Sequence, residues 1–205
     1  MADDSNSVKM EERGYHHGAL RPALIAAAED VIAERGVDGF SLRETARRAG
    51  VSPSAPAHHF GDARGLLTAI ATAAFEALGD ALEAASAAGT RDERIRAQGI
   101  AYVGFALQQR ARFDVMWRAG LLNNEDEAFA AAGRRAFGLL DGAVRGTGAI
   151  REGPADPALA PSIACWAAVH GFARLAIDGA FGTEDGAAER AADALLPLVL
   201  DRLTV

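Results

Sequence analysis

The chain has 205 residues, half of them hydrophobic, and carries 21 basic against 28 acidic side chains for a formal net charge of −7. That length supports a sizeable core in one or two domains, and a single cysteine, Cys165, excludes an internal disulfide framework and points to a reducing cytoplasm. No run approaches the roughly 18 consecutive apolar residues of a bilayer span, and Met1 to Met10 holds no apolar signal segment, so neither membrane insertion nor secretion is expected.

Alanine and leucine dominate the apolar residues and no strand pattern is evident, so the expected fold is all-α with about nine helices. Residues 1–14 read as a short disordered arm of mixed charge. The first helix is expected over Gly18 to Arg35, with Leu24, Ala28, Val31 and Ile32 on its buried stripe and Gly36 as its stop. Pro22 would then fall in the first turn, where a missing N–H costs little. Ser41 and Glu44 have capping-box spacing, in which each side chain satisfies the other's backbone N–H. Leu42, Thr45, Ala46 and Ala49 follow at helical spacing, and Gly50 sits where a left-handed residue ends that helix. Ser52-Pro53 is an N-cap followed by proline, opening a short helix that runs to about Phe60. Two short helices around a tight turn form a helix-turn-helix, whose second helix fits a DNA major groove. From Arg13 to Gly65 seven arginines oppose six acids. DNA affinity would therefore rest on local arginine placement and not on a strong field.

Asp62 caps a fourth helix over Ala63 to Ala87, with Leu66, Leu67, Ile70, Phe75, Leu78 and Leu82 on its apolar face. Thr90 and Glu93 form a second capping box opening the fifth helix, which reaches about Arg110. A short sixth helix spans Arg112 to Arg118, and a seventh Glu125 to Arg145. The glycine-rich run from Gly146 to Gly153, with Pro154, reads as a loop. Asp156-Pro157 opens the eighth helix, expected to reach Gly179. Its Ala164, Ala167, Ala168 and Gly171 give a narrow face that another helix can approach closely. The ninth helix runs from Glu184 to Leu203, with Pro197 as a kink. The last two helices are more apolar than the rim of a monomer requires.

No catalytic constellation emerges. Cys165, His170 and Asp178 diverge around one helix, and no Cys/His cluster has zinc spacing, so neither a metal nor a cofactor is expected. Tyr102, Phe105, Phe113, Met116, Trp117, Phe137, Trp166 and His170 gather in the fifth to eighth helices. Each alone is more often core; together they have the composition of a ligand cavity in a helical bundle. Glycines 99, 104, 133 and 138 leave room for it, and His170, Tyr102, Gln108 or Arg118 would supply its polar contacts.

Residues Glu34-Arg35-Gly36, Ser41-Leu42-Arg43, Ala49-Gly50-Val51-Ser52, His59-Phe60 and Leu66-Leu67 make the chain resemble the TetR family of bacterial transcriptional regulators. The run Tyr15 to Arg21 and Trp166-x-x-x-His170-Gly171 are similar to one branch of it. The resemblance implies a helix-turn-helix DNA-binding domain at 15–62 and a ligand-sensing and dimerisation domain at 63–205. It implies a homodimer through the last two helices, a palindromic double-stranded operator, repression as the usual sign, and release by a small-molecule effector. On the second helix of the motif, which Pro53 opens, Ser54, Ala55 and His58 are expected to face bases. Ser52, His59 and Arg64 are expected at phosphates, with His17 as a further phosphate contact. Arg43 is the strongest single candidate for a DNA contact. The family's tyrosine before His-Phe is Ala57 here and its following lysine is Ala63, so two phosphate contacts are absent. That leaves an alternative open: a helical ligand-binding or scaffold protein with weakened DNA binding.

Overall fold

The structure is a computed structural model that describes residues 8–87, 89–146, 153 and 156–203, with side chains from Leu20 onward. Nine α-helices and no strands occur among the described residues. They are α1 Val8–Arg35, α2 Leu42–Arg48, α3 Ala55–Phe60, α4 Ala63–Ala85, α5 Arg91–Gln108, α6 Arg110–Met116, α7 Glu127–Arg145, α8 Ala160–Ile177 and α9 Ala187–Leu200. Short 3-10 turns lie at Val37–Gly39, Ala119–Leu121 and Pro157–Leu159.

The first helix departs from expectation. It begins at Val8, so it takes in residues 8–14 of the expected arm, while residues 1–7 lie outside those described. Pro22 therefore sits inside the helix, where it removes one i→i−4 hydrogen bond. The far end follows local rules. Gly36 at φ 71° stops α1, and Leu24, Ala28, Val31 and Ile32 are buried.

Helix α2 ends as its sequence dictates. Gly50 adopts φ 67°, and the Val51 N–H reaches back to the Ala46 carbonyl at 3.0 Å, closing the last turn. The third helix starts later than its signals imply. Ser52 to Ser54 form a turn, and Pro56, not Pro53, occupies the first turn of α3, where it is buried.

Helix α4 organises the body. Leu66, Leu67, Ile70, Ala71, Ala74, Phe75, Leu78 and Leu82 are all buried, and α4 packs most heavily on α7, then on α6 and α5. Asp62 caps it, accepting from the Gly65 N–H at 2.8 Å. Burying a side chain of this size contributes about 1.5–3 kcal/mol, so this one stripe supplies much of the core. Helices α8 and α9 close the other side of α5. At Gly99 an added Cβ would lie 2.5 Å from the Leu200 side chain, so this glycine makes room for α9 and not for a ligand. The expected glycine loop at 146–153 falls mostly outside the described residues.

Candidate functional site

The helix-turn-helix is organised by a carboxylate that sequence spacing assigns a different job. The Ser41 hydroxyl does accept from the Glu44 N–H, at a long 3.5 Å. The reciprocal arm of the capping box is not made. The Glu44 carboxylate instead takes Arg47 at 2.8 Å, Arg48 at 3.0 Å and Arg35 of α1 at 3.2 Å. Arg48 is also held by Glu34, with Nη1 at 2.7 Å from Oε1. Hydrogen bonds from Arg47 and then Arg48 hold the Glu44 carboxyl well below its ordinary range, at about 2. One carboxylate thus ties α1 to α2 and partly neutralises three cations.

Arg43 escapes this cluster. It is exposed at the start of α2, beside Ser41, Val51 and Pro53, and has no hydrogen-bond or ion-pair partner among the described residues. Ser52, Pro53, Ser54 and His58 are exposed, and Ala55 and His59 are half-buried. The Ser52 and Ser54 hydroxyls lie 3.2 Å apart, and the rings of His58 and His59 stand edge to face at 5.4 Å. Arg64 is exposed, and its guanidinium donates one long hydrogen bond to the Gly120 carbonyl, at 3.4 Å. The side chain of His17 lies outside those described. Sequence reasoning missed Arg21, whose guanidinium lies 5.0 Å over the Phe60 ring and ties α1 to the end of α3.

In the body, a cavity of about 170 Å³ opens between α4, α5, α7 and α8. Of the expected ligand residues, Tyr102, Trp117, Phe137 and Trp166 line it. Trp166 stacks near Trp117 at 5.4 Å and Phe137 at 5.8 Å. Phe113 and His170 stand one layer behind: Phe113 packs edge-on to Tyr102 at 5.9 Å, and His170 sits 4.9 Å from Trp117. Phe105 and Met116 are buried in the core without lining the cavity. The missing wall is α4, which contributes Phe75, Leu78 and Leu82. Their i, i+3, i+7 spacing marks one stripe, but nothing in it tells a core stripe from a cavity wall.

The polar groups do not converge as expected. Gln108 is exposed, and Arg118 pairs with Asp38 at 3.0 Å. What remains is the Tyr102 hydroxyl, hydrogen-bonded to His170 Nδ1 at 2.9 Å. Burial raises the Tyr102 phenol above its ordinary range and lowers His170, with Arg174 adding to the second shift. Both groups are therefore neutral near pH 7. The Trp117 indole N–H is buried without an acceptor. Cys165 is buried, which raises its thiol, and no group of three or more His, Cys, Asp or Glu side chains gathers to hold a metal among the described residues.

Helix α6 joins the two regions. Phe113 and Trp117 face the aromatic cluster. Arg112 makes a two-pronged pair with Glu29 of α1, at 2.7 and 3.2 Å, and Arg118 reaches Asp38 beyond the end of α1.

Comparison with known proteins agrees with this geometry. Residues 95–199 match the tetracyclin repressor-like C-terminal domain, and residues 24–70 match the bacterial regulatory proteins of the tetR family. A solved protein of unknown function from Rhodococcus sp. RHA1 is 35% identical, with 93% of this chain and 98% of that one aligned and a TM-score of 0.69. The TetR family transcriptional regulator PfmR from Thermus thermophilus, 23% identical, shares the fold with a TM-score of 0.65 over 88% of this chain and 96% of its own. The HTH-type transcriptional regulator BetI of Rhizobium meliloti is 41% identical over 78 residues, 38% of each chain, so the likeness spans well under half of that relative. With both domain types matched in order along one all-helical chain, the protein belongs to the TetR family of bacterial regulatory proteins, transcriptional regulators with a helix-turn-helix and not enzymes.

Proposed function

We propose that the protein is a dimeric, effector-released repressor that binds a palindromic operator in the cytoplasm. The observation that carries the DNA reading is Arg43. It is an exposed guanidinium on the helix-turn-helix that makes no hydrogen bond among the described residues, while Arg35, Arg47 and Arg48 direct theirs to Glu44 and Glu34. Free donors at this position suit a phosphate or a guanine edge.

The dimer reading rests on α8 and α9. Ile163 and Leu175 on α8 and Leu195 and Leu198 on α9 are exposed, although large apolar side chains there gain by being covered. The exposed Ala164 and Ala167 lie on the same side of α8, so a second helix can come close. A two-fold pairing also fixes the separation of two reading heads, which must match half-sites about one DNA turn apart.

Release runs through α6 in this reading. A molecule in the cavity presses on Trp117, the residue directly after α6; α6 carries Arg112 to the DNA-binding end, and Arg118 follows Trp117 and reaches Asp38. Effector and DNA then favour different positions of α6 and α4, which is all that reciprocal coupling requires.

Two features favour a second reading as a ligand-binding protein with weak DNA affinity: Ala57 and Ala63 are exposed where the family has phosphate contacts, and Glu44 offsets three arginines. Genomic-fragment selection with purified protein at low and higher salt decides between them. Enrichment of a palindrome, lost with Arg43→Ala, supports the regulator. No enrichment at low salt refutes it.

A further inference from the structure

Helix α3 carries two adjacent histidines, His58 exposed and His59 half-buried. Pro56 and Phe60, four apart, are its inward side: Pro56 is buried and Phe60 packs against the core. Ser54 and His58, also four apart, are both exposed on its outward side. The two imidazole rings stand edge to face with centroids 5.4 Å apart, and His59 lies 6.5 Å from the Phe60 ring. Neither imidazole has a hydrogen-bond or ion-pair partner among the described residues.

The charged groups on the neighbouring elements offer no counter-ion. Helix α2 brings Arg43, Glu44, Arg47 and Arg48, and the one carboxylate among them is engaged by Arg35, Arg47 and Arg48. At the start of α4, Asp62 accepts from the Gly65 N–H at 2.8 Å and Arg64 donates to the Gly120 carbonyl. From α1, Arg21 lies over the Phe60 ring. Two charged imidazoles 5.4 Å apart repel each other, so a doubly protonated pair here needs an anion from outside the chain.

A DNA phosphate is such an anion. Imidazole is the side chain whose charge changes between about pH 5 and 8, and once protonated it donates from both ring nitrogens. A phosphate beside it favours the charged form, so binding takes up protons, and by linkage affinity rises as pH falls. The leverage is large because this domain is close to neutral. Seven arginines against six acids from Arg13 to Gly65 leave a net charge of +1, which two further protons triple.

We infer, on the reading above that this end of the protein meets DNA, that His58 and His59 form a proton-linked phosphate site, which makes DNA affinity rise as pH falls from about 8 to about 6. Glu44 stays out of this response, since a carboxyl held at about 2 does not titrate in that range.

The test is fluorescence anisotropy on the full-length protein with two labelled duplexes, the selected operator and a random sequence of the same length, at about pH 8.5 and about pH 5.5 and over a series of salt concentrations. Each ring is expected to contribute about tenfold in affinity between the two pH values and to steepen the log–log salt slope by about 0.9 at the lower one. Both duplexes should respond, because phosphates are common to them. His58→Gln with His59→Gln should lose most of the pH response and the added slope, while His16, His17 and His170 remain in place, so the difference isolates these two rings. His58→Lys with His59→Lys, which carries fixed charge, should bind tightly at both pH values. A flat pH profile in the unmodified protein overturns the inference without any variant. So does a pH response that survives intact in the glutamine variant, and one confined to the operator overturns the assignment to phosphate. Binding with a flat profile sinks this inference alone; no binding to either duplex at either pH sinks the DNA reading with it.

Discussion

Glu44→Gln should strengthen DNA binding, although it removes a charge cluster that holds two helices together. Glutamine keeps the shape and one acceptor oxygen but loosens the hold on Arg47, Arg48 and Arg35, now at 2.8, 3.0 and 3.2 Å. Arg47 is the most exposed of the three, with 70% of its side chain accessible, and is the first to be recruited by phosphate. Each added phosphate contact steepens the log–log dependence of affinity on salt by about 0.9. The variant should therefore show a slope steeper by about 0.9 if Arg47 alone is freed, more if Arg35 follows, with tighter binding at low salt. Acidification should not free these arginines, because a carboxyl with a pKa of about 2 stays charged throughout the working range. The sign for stability is separate. This depressed carboxyl contributes stability that is present above the ordinary carboxylate pKa and is lost as pH falls toward about 2, so the variant should lose that part of the acid dependence. The measurement is fluorescence anisotropy on a selected operator at four salt concentrations. A slope equal to or shallower than that of the unmodified protein would show that the three arginines do not face DNA.

Leu175→Glu with Leu198→Glu places charges on the exposed faces of α8 and α9, at residues 52% and 61% accessible. Analytical ultracentrifugation should find a folded monomer; an unchanged dimer would put the interface elsewhere. Phe113→Ala empties a fully buried ring site among Tyr102, Trp117 and His170, and should cost about 3–5 kcal/mol in chemical denaturation. Tyr102→Phe removes the 2.9 Å bond to the half-buried His170 and should cost about 0.5–1.5 kcal/mol, with no measurable loss refuting a stabilising Tyr102–His170 bond. Burial, then Arg174, lowers the His170 pKa, so its contribution is full above about pH 6.5 and declines as pH falls through the lowered folded value. Urea titrations at about pH 7.5 and about pH 5.5 should show that decline flattened in His170→Gln.

Much of this protein was legible from short-range pattern. Gly36 and Gly50 at positive φ, the Asp62 cap and the full Thr90–Glu93 box all occur where their spacing puts them. Each is a contact within about one turn, so the chain decides it alone. The cluster Tyr102, Trp117, Phe137 and Trp166 was readable for a related reason, since aromatic side chains on consecutive helices of a bundle have few places to go but its middle.

Tertiary structure decided the rest. Glu44 abandons its own backbone because folding brings Arg35 within reach, and three guanidiniums outcompete one N–H for a carboxylate. Only the packing of α4 against α5, α7 and α8 turns Phe75, Leu78 and Leu82 into a cavity wall while burying Phe105 and Met116 solidly. Periodicity says which side of a helix leaves water; whether that side meets another side chain or a void depends on volumes contributed by residues far away in sequence. Arg43 shows both halves: its type and place were set locally, and its lack of a partner among the described residues only by where Arg35, Arg47 and Arg48 went.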